Sequence, residues 1–196
     1  MKAGWRLVKE TSMVDNFQSD GITTLLELLA DPEEHRDYAF TKRFEKHVFF
    51  DQDVRSDDVI IQVLQDIALA CLGPEGRIAV LSASDRSLLA WLKAGEAWSL
   101  KMSAMTEARE RAGYHDGLLL IDDSKRFLVH QQLPIELGIL AFDGLADWPL
   151  ASANARECLF DASDFENWLS GATERDLSLT RWYGREDLAH LVKHYR

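Results

Sequence analysis

The sequence predicts an α/β fold, a single mixed sheet flanked by helices. Two observations carry this. Between residues 47 and 142, short apolar runs that suit buried strands alternate with segments of helical period. The chain also has 196 residues, 46% of them apolar, which is enough for one sizeable core. No repeat, low-complexity tract or linker divides it. Residues 1–196 therefore read as one domain, with a core over 47–170 and helical additions at 1–46 and 171–196.

The elements follow in order. Trp5-Arg-Leu-Val-Lys9 is strand-like, and residues 11–20 are a polar loop. Residues 22–30 read as a helix. Asp31-Pro32-Glu33-Glu34 starts another, with an acidic cap and Pro in the first turn, running to about Lys46. His47–Phe50 is a strand. Ser56 caps the clearest helix, because Ile60, Val63, Leu64, Ile67, Ala68 and Cys71 share one face, and Gly73-Pro74 ends it. Arg77–Leu81 reads as a buried strand. Asp85–Lys93 reads as a helix after Ser84. Trp98, Leu100, Met102 and Ala104 alternate with polar residues, so 98–104 reads as a strand, and Glu107–Ala112 as a helical turn closed by Gly113. Leu118–Ile121 and Phe127–His130 are the arms of a hairpin about Asp122–Lys125. Gly138–Phe142 is a further strand, and residues 143–156 form a loop. Asp164–Leu169 and Arg185–Tyr195 are the last helices.

Charge restricts the function. There are 22 Lys+Arg against 33 Asp+Glu, a net −11. Residues 171–196 hold five of the bases and four of the acids, so the acidity belongs to residues 1–170. Such a body repels nucleic acid and anionic membrane. Cys71 and Cys158 make no disulfide framework, no secretory signal follows Met1, and no apolar stretch approaches the ~20 residues of a membrane span. These features predict a cytoplasmic protein without a membrane anchor.

Few segments suggest chemistry. Asp51–Asp58 resembles a calcium loop only at its start: Arg55, Ser56 and Gln62 stand where an oxygen ligand, Gly and Glu belong. Asp187, His190 and His194 share a helix face but lack the Glu of a His-Glu-x-x-His site. No metal and no cofactor is expected, since no Gly-rich phosphate loop occurs. There is no Gly-x-Ser-x-Gly elbow either.

The most informative run is Tyr114-His-Asp-Gly-Leu-Leu-Leu-Ile-Asp-Asp-Ser-Lys-Arg-Phe-Leu-Val-His-Gln-Gln132. It resembles the core motif of the phospholipase D superfamily: His-x-Lys, four residues, Asp, six residues, then a Gly-Ser-x-Asn-like stretch. His115 and Asp122 stand at that spacing, and Val129-His130-Gln131-Gln132 occupies the last position. The resemblance spans roughly 47–170. It implies a phospholipase-D-like layout of strand (77–81), helix (85–93), strand (98–104), helical turn (107–112) and motif hairpin. Phe165-Glu-Asn-Trp168 is similar to an aromatic pair that often follows. By that resemblance His115 would be the nucleophile and Asp122 its support. Gly117 replaces the motif Lys, however, so charge developing on phosphate would lose its cation. A single motif copy would also need a homodimer to complete a site.

Three functions follow as expectations. The first is a non-catalytic, protein-binding or regulatory module on a degenerate phospholipase-D-like fold. The second is a phosphodiesterase or nuclease with His115 at a homodimer interface. The third is an immunity or antitoxin-type inhibitor of a basic toxin, motivated by acidity. The first is favoured, which leans away from an enzyme. Its contact patch is expected at Arg181, Trp182, Tyr183 and Arg185, because aromatics and Arg are enriched at binding hot spots.

Overall fold

The computed structural model describes residues 25–28, 42–132, 137–144 and 152–195. The strands are β1 (Lys46–Phe50), β2 (Arg77–Ser82), β3 (Leu88–Lys93), β4 (Leu118–Asp122), β5 (Phe127–Gln131) and β6 (Gly138–Phe142). The helices are α1 (Asp58–Leu72), α2 (Trp98–Arg111), α3 (Ala153–Cys158), α4 (Ala162–Ser170), α5 (Glu174–Tyr183) and α6 (Arg185–Tyr195). The strands form one open sheet in the order β1-β6-β5-β4-β2-β3.

All pairings are antiparallel, which corrects the expected mixed sheet. The expectation came from strands alternating with helical segments, a pattern that often links parallel strands. Here an antiparallel sheet is covered on both faces. Ile78, Val80, Leu120 and Val129 face α1 and α2, while Ala79, Leu81, Leu119, Ile121 and Leu128 face the other way, towards Leu25, Leu28 and Phe44. A third apolar cluster, with Phe49, Phe165, Trp168 and Leu188 buried, seats α4 and α6 against β1.

Two more expectations are overturned, and they concern neighbours. Residues 88–93 are strand β3, not part of a helix over 85–93. The turn before them decides this. Arg86 takes φ 59, Arg86 N–H donates to Ser82 O, and the Asp85 carboxylate holds Ser87 N at 3.0 Å. The chain therefore reverses and pairs β3 with β2. Residues 98–104 belong to helix α2, not to a strand. Trp98, Met102 and Thr106 are the buried residues, at i, i+4 and i+8, and Leu100 is 77% exposed. The alternation there was a coincidence of composition.

Other bounds shift slightly. The cap of α1 is Asp57, whose carboxylate accepts from Val59 N and Ile60 N, rather than Ser56. The end of the expected 143–156 loop is helix α3. Helix α5 was not anticipated as an element of its own; it precedes α6, which matches the expected Arg185–Tyr195 helix. The readings at residues 1–24 and 29–41, and part of the 143–156 loop, lie outside the described residues.

The central hairpin is held at its turn by one carboxylate. Asp122 is fully buried and accepts from Ser124 N at 2.9 Å, Arg126 N at 2.6 Å and Phe127 N at 2.6 Å, as well as from the Ser124 hydroxyl. It replaces the partners that a tight turn denies its own backbone. Asp122→Ala should strand these donors and destabilise the fold by about 3 kcal/mol or more, read as a lower urea midpoint.

Candidate functional site

The motif residues sit on β4 and the chain leading into it, but they are not brought together. His115 is exposed in the segment between α2 and β4, and Asp122 ends β4. The whole strand lies between them, about 16 Å at ~3.3 Å per residue. Asp122 serves the hairpin turn, as described above.

The chain just after His115 is committed to structural contacts. Gly117 N–H donates to Gln132 O at 2.6 Å, and Gly117 O accepts from Ala83 N at 3.1 Å. A Cβ at residue 117 would overlap the Gln131 and Gln132 carbonyl oxygens. Gly117 is thus required by the close approach of β4's entry to the end of β5, and a lysine cannot occupy it without parting them. The Gln131 side chain is buried: Oε1 accepts from Val54 N at 3.0 Å, and Nε2 donates to Gln52 O at 3.0 Å. It fastens the loop after β1 to this end of the sheet.

The neighbouring charges are also committed. Arg109 donates to Asp116 at 2.6 Å and lies 4.8 Å from the Tyr114 ring centroid. Asp116 also accepts from the Ser82 and Ser84 hydroxyls, the latter at 2.9 Å. Burial opposes ionisation of Asp116, but bonds from Ser82, Arg109 and Ser84 outweigh it and hold the carboxyl below the usual range. Arg55 pairs with Asp53 at 3.1 Å, within the segment that resembled a calcium loop. Among the described residues no three His, Cys, Asp or Glu side chains converge as a metal site. His190 and His194 lie side by side on α6, ring centroids 4.2 Å apart.

The expected contact patch lies on α5 and the start of α6. Trp182 is 78% exposed, and Arg181 and Arg185 are exposed. Tyr183 turns inward instead, as a residue 100° further round the helix must. Its ring stacks on Trp168, 5.9 Å between centroids and 12° between planes, and its hydroxyl donates to Asp51 at 3.0 Å. Burial, then the Asp51 charge, pushes that hydroxyl above its usual range. Tyr183 anchors the helix that presents Trp182.

A cleft of about 280 Å³ adjoins this helix, lined by Arg156, Glu157, Phe160, Asp164, Trp168 and Arg175 among others. Arg156 and Arg175 are exposed, and their guanidiniums make no hydrogen bond or ion pair among the described residues. The sequence reading missed both. The spacing Thr173-x-x-Asp176, a capping box in the structure, would have marked the start of α5.

No family model, curated protein or solved structure matches this chain.

Two outcomes are expected. Gly117→Ala should destabilise by roughly 3 kcal/mol or more, because backbone, not a flexible side chain, must move; chemical denaturation measures it. The second concerns pH. Burial lowers the His130 imidazole to about 4, with Arg86 adding to the effect. Burial likewise takes His47 to about 4, with Asp143 opposing and Arg43 assisting. The unfolded chain therefore binds protons first on acidification, so stability is present above about pH 6.5 and is lost on falling towards pH 4. Between pH 7 and pH 5 the loss should be about 1–2 kcal/mol for His130 and smaller for half-buried His47, whose charge solvent screens, and His130→Gln should flatten the profile.

Proposed function

We propose that this protein is a non-catalytic, protein-binding module whose contact face is centred on Trp182 of α5. The observation that carries the reading is Gly117. The backbone packing there leaves no room for the cation that phosphoryl transfer on the resembled motif would need. Three further facts support it. His115 and Asp122 lie at opposite ends of β4. Arg109, whose guanidinium contacts both sequence neighbours of His115, is bonded to Asp116. Trp182, by contrast, exposes a large amphipathic side chain between Arg181 and Arg185, the residue types that dominate contact energies. The β4–β5 hairpin that carries the motif residues serves as scaffold.

The test has two arms. Incubation with bis(p-nitrophenyl) phosphate should give no turnover above buffer, and His115→Ala should leave that rate unchanged. Turnover abolished by His115→Ala would contradict the reading. Trp182→Ala should change unfolding free energy by no more than about 0.5 kcal/mol, since the side chain is 78% exposed. A large destabilisation would make Trp182 a packing residue rather than a contact.

A further inference from the structure

We propose that this chain forms a two-fold dimer in which the α5 helices of two copies run antiparallel and Trp182 of each packs on Arg175 of the other. This deepens the reading of α5 as the contact face by naming its partner, and rests on that reading.

The helix carries a self-complementary stripe. Arg175, Ser178 and Trp182 follow at i, i+3 and i+7, and all three are exposed. Asp176, Leu179, Thr180 and Tyr183 are half-buried and form the inward side. There Thr180 Oγ1 donates to Trp168 O at 2.9 Å, and Tyr183 stacks on Trp168. Arg175 and Trp182 lie about 10.5 Å apart along the axis, with Ser178 between them. A two-fold axis beside Ser178 therefore brings each guanidinium over the other copy's indole, two cation–π contacts per dimer. A small residue at the crossing lets the helices approach closely. The Arg175 guanidinium has no hydrogen bond or ion pair among the described residues, so this contact displaces none.

The cleft beside Arg175 suits the same occupant. Its volume of about 280 Å³ is on the scale of one large side chain rather than of a drug-sized ligand. Its charges are mixed, Arg156 and Arg175 against Glu157, Asp164 and Asp176, so it selects no ion of either sign. Asp164 accepts from Asp161 N at 2.8 Å and Asp176 from Thr173 N at 2.9 Å, which commits both to helix caps. Glu157 is left as an acceptor for an indole N–H. Trp168 and Phe160, which meet edge-on at 5.2 Å, supply aromatic surface. A neutral, broad ring with one donor fits such a lining.

Charge selects the face through which two copies can meet. Each carries a net −11, so their bodies repel. Residues 171–196 hold five Lys+Arg and four Asp+Glu, so contact through α5 joins the parts of the two chains nearest neutrality. The helix has 10 residues, none of them fully buried within the chain. A pair of such helices covers less than the roughly 1,200 Å² of a stable interface, so the dimer is weak and depends on concentration.

The test is analytical ultracentrifugation of the full chain from about 10 μM to about 1 mM, the range of weak interfaces. The expected result is a monomer–dimer equilibrium within that range. Trp182→Ala and Arg175→Ala should each weaken it about tenfold, and Arg175→Glu should abolish it, while urea unfolding of each variant stays near wild type. Ser178→Cys should give a disulfide-linked dimer on mild oxidation, whereas Leu100→Cys, at an exposed position on α2, should not. A chain that stays monomeric throughout would overturn the proposal and leave the contact face to a different partner. A dimer indifferent to Arg175→Ala and Trp182→Ala would overturn it, as would Ser178→Cys linking no faster than Leu100→Cys. A marked fall in the urea midpoint of Trp182→Ala would remove the contact face, and the dimer with it.

Discussion

The approach of Gly117 to the end of β5 is the constraint on which the reading of this molecule turns. A residue without Cβ lets two carbonyl oxygens come close, and the Gly117 amide then donates to Gln132 O at 2.6 Å. The same residue accepts from Ala83 after β2. Three strands, β2, β4 and β5, are thus joined at one end of the sheet. Asp122 joins β4 and β5 at the other end through its hydrogen bonds to the turn. Between these clamps β4 is buried on both faces. The polar groups that a nucleophilic site would need to leave free are spent on holding backbone.

Charge is divided in a related way. In the sheet-bearing part of the chain ions cancel locally: Arg109 with Asp116 next to His115 in sequence, Arg55 with Asp53 in the loop after β1. Burial strengthens such pairings, but it also removes them from external recognition. On the C-terminal helices the arginines lack acidic partners among the described residues, and Trp182 stands exposed among them. That surface is held in place by an aromatic layer beneath it. Tyr183 stacks on Trp168, Phe165 packs on Phe49, and the Tyr195 ring approaches Phe49 to 5.4 Å. Rigid aromatic anchoring below and polar exposure above suit a contact face.

Much of the fold was legible where one periodicity dominated. The face of α1 from Ile60 to Cys71 and the β4–β5 hairpin were read near their true bounds. Reading failed where local pattern and tertiary pairing disagreed. Leu88–Lys93 has a composition that suits a helix after Ser84, but the left-handed turn at Arg86 and pairing with β2 make it a strand. Trp98–Ala104 alternates by chance, and burial of Trp98 and Met102 at helical spacing overrides that. Strand direction was hidden too, since runs such as Leu118–Ile121 report burial on both faces but not polarity of pairing. Trp182 was visible as a candidate because of its neighbours. Tyr183, expected in the same patch, is half-buried and stacks on Trp168, because one helical step separates outward from inward. The cleft was invisible, because Arg156 and Arg175 are 19 positions apart and meet only through the packing of α3, α4 and α5.

The central claim is that this end of the sheet is closed by backbone rather than open as a reactive pocket. Native-state hydrogen exchange of the Gly117 amide, followed by NMR, tests it most directly. The account predicts exchange as slow as that of Leu120 in the middle of β4, limited by global unfolding. Exchange as fast as that of the exposed Tyr114–His115 segment would show that this end opens freely, and would contradict it.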